Sequence, residues 1–321
     1  MPKTRHPRAG SMQFWPRVRA RVSYARIRTW AGSKEAKLLG FAGYKVGMTH
    51  LILNDTRPNS LTKGMEISYP TTIVECPPLK TASIKFYKNT PNGPKVTSEL
   101  FAENLDKELE RRIILPKKKG KESDYDFVRL LCYTQPKLTG IGKKKPETFE
   151  IAIGGNKEQQ LAYAKEKLGK EIGVGEVFKE GQSLDVHSLT KGKGFQGPIR
   201  KFGIQLRHHK SEKSRRNPGS LGPWKAQGHV MWRTAHAGKM GYHLRTEYNK
   251  QVLKIGSKPE EINAKGGYIN YGLVKNTFVL FKGSIAGNEK RLIRFTEAMR
   301  PSKPKEPLQI LYTSTESKQG R

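Results

Sequence analysis

Acidic residues are scarce in this 321-residue chain: 28 Asp and Glu face 61 Lys and Arg, for a formal net charge of +33. A free soluble enzyme rarely carries such an excess, because self-repulsion opposes the compact state. A polyanionic partner is expected instead, either nucleic acid or an anionic membrane surface. Cysteine is nearly absent as well. Cys76 and Cys132 lie far apart, which excludes a disulfide framework and a zinc-ribbon spacing and fits a reducing compartment. No apolar run approaches the ~18 residues of a membrane helix, and the longest clusters, such as 278–281 (FVLF), are strand-sized. The opening MPKTRHPRAGS has no apolar segment of secretory type, and Pro2, Pro7, Gly10 and Pro16 interrupt any amphipathic transit helix.

Catalytic constellations are missing too. There is no G-x-S-x-G elbow and no paired-carboxylate motif. Residues 191–197 (KGKGFQG) lack the G-x-x-x-x-G-K-[ST] order of a nucleotide-binding loop, and no clear helix is read after them. His208, His209, His229, His236 and His243 have no cysteine nearby and only Glu212 and Glu247 as carboxylates, among cations that would repel a metal ion. The expectation is a non-enzymatic protein with no cofactor, no metal, no small-molecule substrate and no membrane.

What is present is charge in particular places. Residues 1–45 hold 11 Lys and Arg and one acid, Glu35. Residues 186–256 hold 15 against Glu212 and Glu247, whereas residues 97–187 hold 17 against 16 acids. A solvated face mixes signs, so the middle reads as ordinary protein surface and the two flanks as nucleic-acid contacts gaining affinity by counterion release. In the first flank, Phe14, Trp15, Tyr24 and Trp30 alternate with Arg17, Arg19, Arg21, Arg26 and Arg28. Rings and guanidinium planes both stack on unpaired bases, which suits irregular RNA better than a duplex groove. The competing reading is that these aromatics dock the arm onto the domain.

The pattern of elements is mainly β. Residues 1–37 read as an extended basic arm. Residues 38–53 read as a strand, a tight glycine passage and a second strand; 71–75, 84–87 and 183–190 read as further strands. Residues 90–182 read as an α/β insertion with a helix capped by Ser98, strands at 127–134 and 148–153, and a second helix capped by Asn156 with Leu161, Ala164 and Leu168 on one face. Residues 205–250 form a basic loop extension with little periodicity, expected to order against a partner. The strand-rich 267–312 completes a closed or nearly closed barrel over 38–89 and 183–312. Residues 313–321 read as a frayed tail.

Phe178, the run 185–197 (DVHSLTKGKGFQG) and Lys201 resemble the signature of the L-three family of large-subunit ribosomal proteins. Residues 43–49 (GYKVGMT), 222–224 (GPW), 229–232 (HVMW), 237–243 (AGKMGYH) and 271–291 are similar to further segments of that family, and the resemblance spans roughly 1–312. The long arm, the insertion and the short C-terminus resemble its archaeal form. The resemblance implies a six-stranded translation-protein-type β-barrel with an inserted α/β subdomain and long non-globular basic extensions. It implies a structural protein of the cytoplasmic ribosome that binds large-subunit ribosomal RNA early in assembly and sits among neighbouring ribosomal proteins. Its arm and central loop would enter the RNA, shaping it near the aminoacyl-tRNA entry path, with Trp224 at a tip near the peptidyl transferase centre.

The candidate RNA contacts are Arg5, Arg8, Trp15, Arg17, Arg19, Arg21, Arg26, Arg28 and Trp30 in the arm. In the signature loop they are Lys191, Lys193, Phe195, Arg200 and Lys201, with Gly192, Gly194 and Gly197 allowing close backbone approach. In the central stretch they are Arg207, His208, His209, Lys210, Lys213, Arg215, Arg216, Trp224, Lys225, Trp232, Arg233, Lys239, His243 and Arg245. The alternative is a ribosome-associated or chromatin-like protein that compacts nucleic acid, for which Lys-rich helices and little aromatic interleaving would be expected.

Overall fold

A computed structural model describes residues 9–57, 59–116, 120–211, 213–222, 228–302 and 308–319. Strands β1 (Gly40–Asn54), β2 (Glu66–Glu75), β3 (Leu79–Thr90), β4 (Gly93–Phe101), β5 (Phe127–Tyr133) and β6 (Thr148–Ala152) come first. Helix α1 (Lys157–Lys167), the short β7 (Glu171–Ile172) and α2 (Val174–Val177) follow. Then come β8 (Ser183–Leu189), β9 (Phe195–Gln196), α3 (Pro198–Phe202), β10 (Gly238–Lys239), β11 (Leu244–Gly256), β12 (Phe278–Lys282), β13 (Leu292–Glu297) and β14 (Ile310–Thr313). The chain divides into two compact units, one of Met1–Ser23 with Leu189–Arg245, the other of Tyr24–Ser188 with Thr246–Arg321.

The principal sheet of the second unit runs β13-β8-β11-β12-β2-β1-β14, and β13 also pairs with β1. Its pairs are antiparallel where β1 meets β2 (Tyr44↔Glu75 to Asn54↔Glu66) and where β1 meets β13 (Gly40↔Thr296 to Tyr44↔Leu292). The strands hold β-branched and aromatic residues because both faces of their inner halves are covered. In β2, exposed and half-buried positions alternate to Pro70, and Thr71 to Glu75 are then all buried. Phe295 centres the core, its ring 6.0 Å from Phe41, 5.7 Å from Phe178 and 5.4 Å from Phe281.

Residues 38–53 are expected to break at their glycines, yet β1 is continuous over 15 residues, with a register shift against β2 between Lys45 and Gly47 and another against β14 between Ile52 and Leu53. The reason is lateral crowding. A methyl group on Gly43 would lie 2.6 Å from Cys76 Sγ and 2.7 Å from the Glu75 carbonyl, so glycine admits the neighbouring strand without ending this one.

The second sheet runs β4-β3-β5-β6, with β7 on β3, and is antiparallel throughout. The expected helix from Ser98 is therefore strand β4, with Ser98 opposite Phe86. The residues Thr90, Pro91, Asn92 and Gly93 turn the chain into a hairpin, with Pro91 pre-set for the first loop position and Gly93 taking a positive φ (107°). The βαβ-like alternation is likewise corrected: no crossover is needed, and the sheet starts at Leu79. Helix α1 does form where read. Asn156 precedes it, Gln159 Oε1 accepts the Asn156 N–H at 3.1 Å, and Ala164 is buried with Leu161 and Leu168 packed alongside. The C-terminal segment is docked rather than frayed: Thr49 Oγ1 donates to the Ser314 carbonyl at 2.9 Å, and Gln319 Nε2 donates to the Gly266 and Gly267 carbonyls at 2.9 and 2.8 Å.

The first part of the signature run, on β8, holds the second unit together. Buried Asp185 accepts the N–H groups of Asn249 and Met299, both at 2.9 Å. Ser188 Oγ donates to the Ala286 carbonyl at 2.7 Å. His187 lies between Thr246 and Thr296, 3.0 and 3.2 Å from their hydroxyls. Burial, then the charge of Arg294, push the His187 pKa down from 6.5 to about 4, against the opposing pull of Asp185. The unfolded chain therefore takes up this proton first. Its contribution to stability is complete above pH 6.5 and is lost as pH falls to about 4. The loss is up to about 3 kcal/mol. Urea midpoints of the wild type should thus drop more steeply over this window than those of His187→Gln; parallel slopes would remove His187 as the cause.

Candidate nucleic-acid interface

The first unit contains 19 Lys and Arg and a single acid, Glu212. Such a composition folds only if its cations find partners other than carboxylates, and Phe202 supplies one. Pro198 opens α3 and Gly203 closes it in the left-handed region (φ 69°), which leaves Phe202 buried at the helix end. The Arg17 guanidinium lies 4.8 Å from the Phe202 ring centroid and 5.4 Å from that of Trp15. Trp15 stacks on Phe202 at 6.2 Å, and Trp232 meets Trp15 edge-on at 5.3 Å. The Ala9 N–H donates to the Phe202 carbonyl at 2.9 Å. Lys201 is also over this ring, at 5.2 Å, and burial followed by the Arg17 charge lowers its pKa. The arm thus gains a fixed course by docking its aromatics; Trp15 and Arg17 are half-buried, whereas Trp232 keeps 58% of its surface exposed.

His243 is a second anchor. Its ring is buried, Nε2 accepts the Gly241 N–H at 3.1 Å, and Nδ1 therefore carries the proton and donates to the Val18 carbonyl at 2.8 Å. Both ring nitrogens are engaged within the unit, and the buried ring ties Gly241 to Val18. The Ala20 N–H donates to the Tyr242 carbonyl at 2.9 Å, so residues 18–20 run along 241–243.

The signature loop is a small hairpin. Phe195 pairs with Lys239 and Gln196 with Gly238, and the Lys193 and Met240 N–H groups donate to the Met240 and Gly194 carbonyls, each at 2.9 Å. Gly241 has φ 77°, and a methyl group there would lie 2.0 Å from the Lys191 carbonyl, so no other residue fits. Lys191, Gly192, Lys193, Gly194, Phe195, Gly197, Arg200 and Lys239 are all exposed. A helix does follow this loop, contrary to the sequence reading, but α3 has only five residues.

A turn joins Arg207 to Arg215, the Arg207 N–H donating to the Arg215 carbonyl at 3.0 Å. It exposes His208 and His209, with ring centroids 4.1 Å apart, together with Lys210, Lys213, Arg215 and Arg216. Arg19, Arg21 and Arg233 are exposed; Arg245 is half-buried over Phe14 at 4.8 Å, and burial lowers its pKa. Arg26 and Arg28 are exposed on the second unit. There Trp30 is half-buried against the core, 5.9 Å from Arg294, as the docking reading expected. Lys45, part of the basic N-terminal count, is buried and donates to the Gly287 carbonyl at 3.0 Å. Arg5, Arg8, Trp224 and Lys225 lie outside the described residues.

Two residues that organise this unit are absent from the sequence reading: buried Phe202, whose signal is the Pro198-to-Gly203 helix punctuation, and Tyr242, whose backbone at φ 56° only the structure reveals. Among the described residues no three His, Cys, Asp or Glu side chains converge to hold a metal ion.

The family model for ribosomal protein L3 matches residues 1–127 and 117–320. Among curated proteins, the large ribosomal subunit protein uL3 of Archaeoglobus fulgidus is 47% identical, with 99% of this chain and 100% of the relative covered. Its namesake in Methanobrevibacter smithii is 45% identical over 100% of both chains, and that of Methanocaldococcus jannaschii 44% over 98% of both.

Proposed function

The chain belongs to the ribosomal protein L3 family, in its archaeal form, and on that premise we propose that it is a structural, non-enzymatic constituent of the large ribosomal subunit in the cytoplasm. The observation that carries this reading is the first unit, whose sequence holds 19 cations and one acid and in which Arg17 and Lys201 pack on the Phe202 ring. Exposed Arg and Lys neutralise closely packed phosphates of large-subunit ribosomal RNA, and exposed rings stack on unpaired bases. The loop holding Trp224 approaches the peptidyl transferase centre, a role that follows from family membership and motif position.

The same premise supports a closed barrel. Following the pairings from β1 through β2, β12, β11, β8 and β13 leads back to β1, with β14 added outside the ring. The barrel and the near-neutral insertion form the globular part, and neighbouring ribosomal proteins are further partners. Binding early in assembly couples RNA compaction to ordering of the basic segments.

Co-sedimentation tests this. The tagged full chain should stay with large subunits through a high-salt wash. Release at moderate salt would make it an accessory factor and overturn the proposal.

A further inference from the structure

A cleft of about 480 Å³ in the first unit is lined by Arg19, Arg21, Phe195, Lys239, Gly241 and Tyr242, among others. Its size falls within the ~300–1,000 Å³ range of small-ligand sites. We propose that it is a docking site for a single unstacked nucleotide of a folded RNA, the base lying on the Phe195 ring and the flanking phosphates held by Arg19, Arg21 and Lys239. This rests on the ribosomal RNA-binding reading and deepens it.

Four observations converge. The Ala20 N–H bond to the Tyr242 carbonyl fixes the arm beside the hairpin, and Arg19, Ala20 and Arg21 all line the cleft. The opposite wall is tied by the hairpin, whose Lys193 and Met240 N–H groups donate to the Met240 and Gly194 carbonyls at 2.9 Å, and Tyr242 holds a left-handed backbone (φ 56°) of the kind that persists in a non-glycine residue where the surroundings over-determine it. Arg19, Arg21 and Lys239 are exposed and make no ion pair among the described residues. Holding three cations around one cleft costs free energy unless an anion occupies it. Finally, Phe195 is 72% exposed on the two-residue β9, directly opposite Lys239.

The last observation selects the ligand. A duplex offers phosphates to the cations but buries its base faces in the stack, leaving the Phe195 ring without a partner. Inorganic phosphate leaves it equally unused. An extruded nucleotide satisfies both halves of the site, a π-face for the ring and a phosphate on either side for the cations.

The test measures binding of the full chain to two RNA hairpins of equal stem length, one fully paired and one carrying a single bulged adenosine. The wild type should prefer the bulged hairpin. Phe195→Ala should lower affinity for it by about 5- to 100-fold, the stacking contribution of one base, and bring it toward that of the paired hairpin. Phe195→Trp, which restores a ring, should keep the preference. If the preference is absent, or survives Phe195→Ala, the nucleotide site is overturned while RNA binding stands. If the wild type binds neither hairpin, the RNA-binding reading falls with it.

Discussion

Raising salt from 50 to 200 mM should weaken binding of the full chain to a large-subunit ribosomal RNA fragment by about 10³- to 10⁵-fold. The magnitude follows from counting the cations that face solvent. In the first unit Arg19, Arg21, Lys191, Lys193, Arg200, Arg207, Lys210, Lys213, Arg215, Arg216, Arg233 and Lys239 are exposed. Arg17, Lys201 and Arg245 are half-buried beside aromatic rings and are less available. If ~6–10 of the exposed set meet phosphates, each releases close to one counterion, and the logarithm of affinity falls linearly with that of salt concentration. Removing two of them, as in Arg215→Gln with Arg216→Gln, should flatten that slope by about two. Lys88 gives the contrast. It is already paired with Asp124 at 2.6 Å on the near-neutral insertion, and Lys88→Gln should leave the slope unchanged. Filter-binding titrations across salt concentrations measure both slopes. A flat response would sink the electrostatic account.

The parts of this design that could be read from sequence are those that depend on local chemistry. Strands β5, β6 and β8 show their apolar and β-branched runs, and α1 shows its Asn156 cap and its Leu161, Ala164 and Leu168 face. The cationic surface shows itself as charge imbalance. What was misread depended on neighbours far away in the chain. The i+4 spacing of Phe101, Leu105 and Leu109 imitates a helix, yet Phe101 ends β4 and Leu109 is buried in a small cluster with Ala82, Leu131 and Tyr133. Gly43 looks like a break until Cys76 and Glu75 are placed beside it. The candidate interface divides similarly. The exposed lysines and arginines needed no partner to be recognised. By contrast, His243 and Trp15 differ from true surface residues only through contacts with Val18, Phe202 and Trp232, separated from them by some two hundred residues of chain.

Glu75→Ala should destabilise the second unit by at least about 3 kcal/mol, since it leaves three backbone or amide N–H donors without their acceptor and each costs ~1–3 kcal/mol. Glu75 is fully buried at the end of β2, opposite Tyr44 on one side and Phe278 on the other. One carboxyl oxygen accepts the N–H groups of Lys275 and Asn276, both at 2.9 Å, and Asn276 Nδ2 at 2.7 Å. The other accepts the Tyr271 hydroxyl, and burial followed by the nearby Glu75 charge keeps that phenol protonated far above its usual range. A single side chain thus fastens the loop that leads into β12. Tyr271→Phe removes only one donor and leaves the other three bonds intact, so its cost should be about 1 kcal/mol. Glu75→Gln keeps the shape, and its Oε1 can still accept the three N–H groups while its amide N–H donates to the Tyr271 hydroxyl oxygen, so it loses only the charge assistance of these bonds and should cost less than Glu75→Ala. Urea midpoints of the full-length variants give the order, and hydrogen exchange in β2 and β12 places the weakening. If Glu75→Ala cost no more than Tyr271→Phe, the loop would have to be held instead by Asn263, whose side chain bonds both the N–H and the carbonyl of Val274 at 2.9 and 3.0 Å.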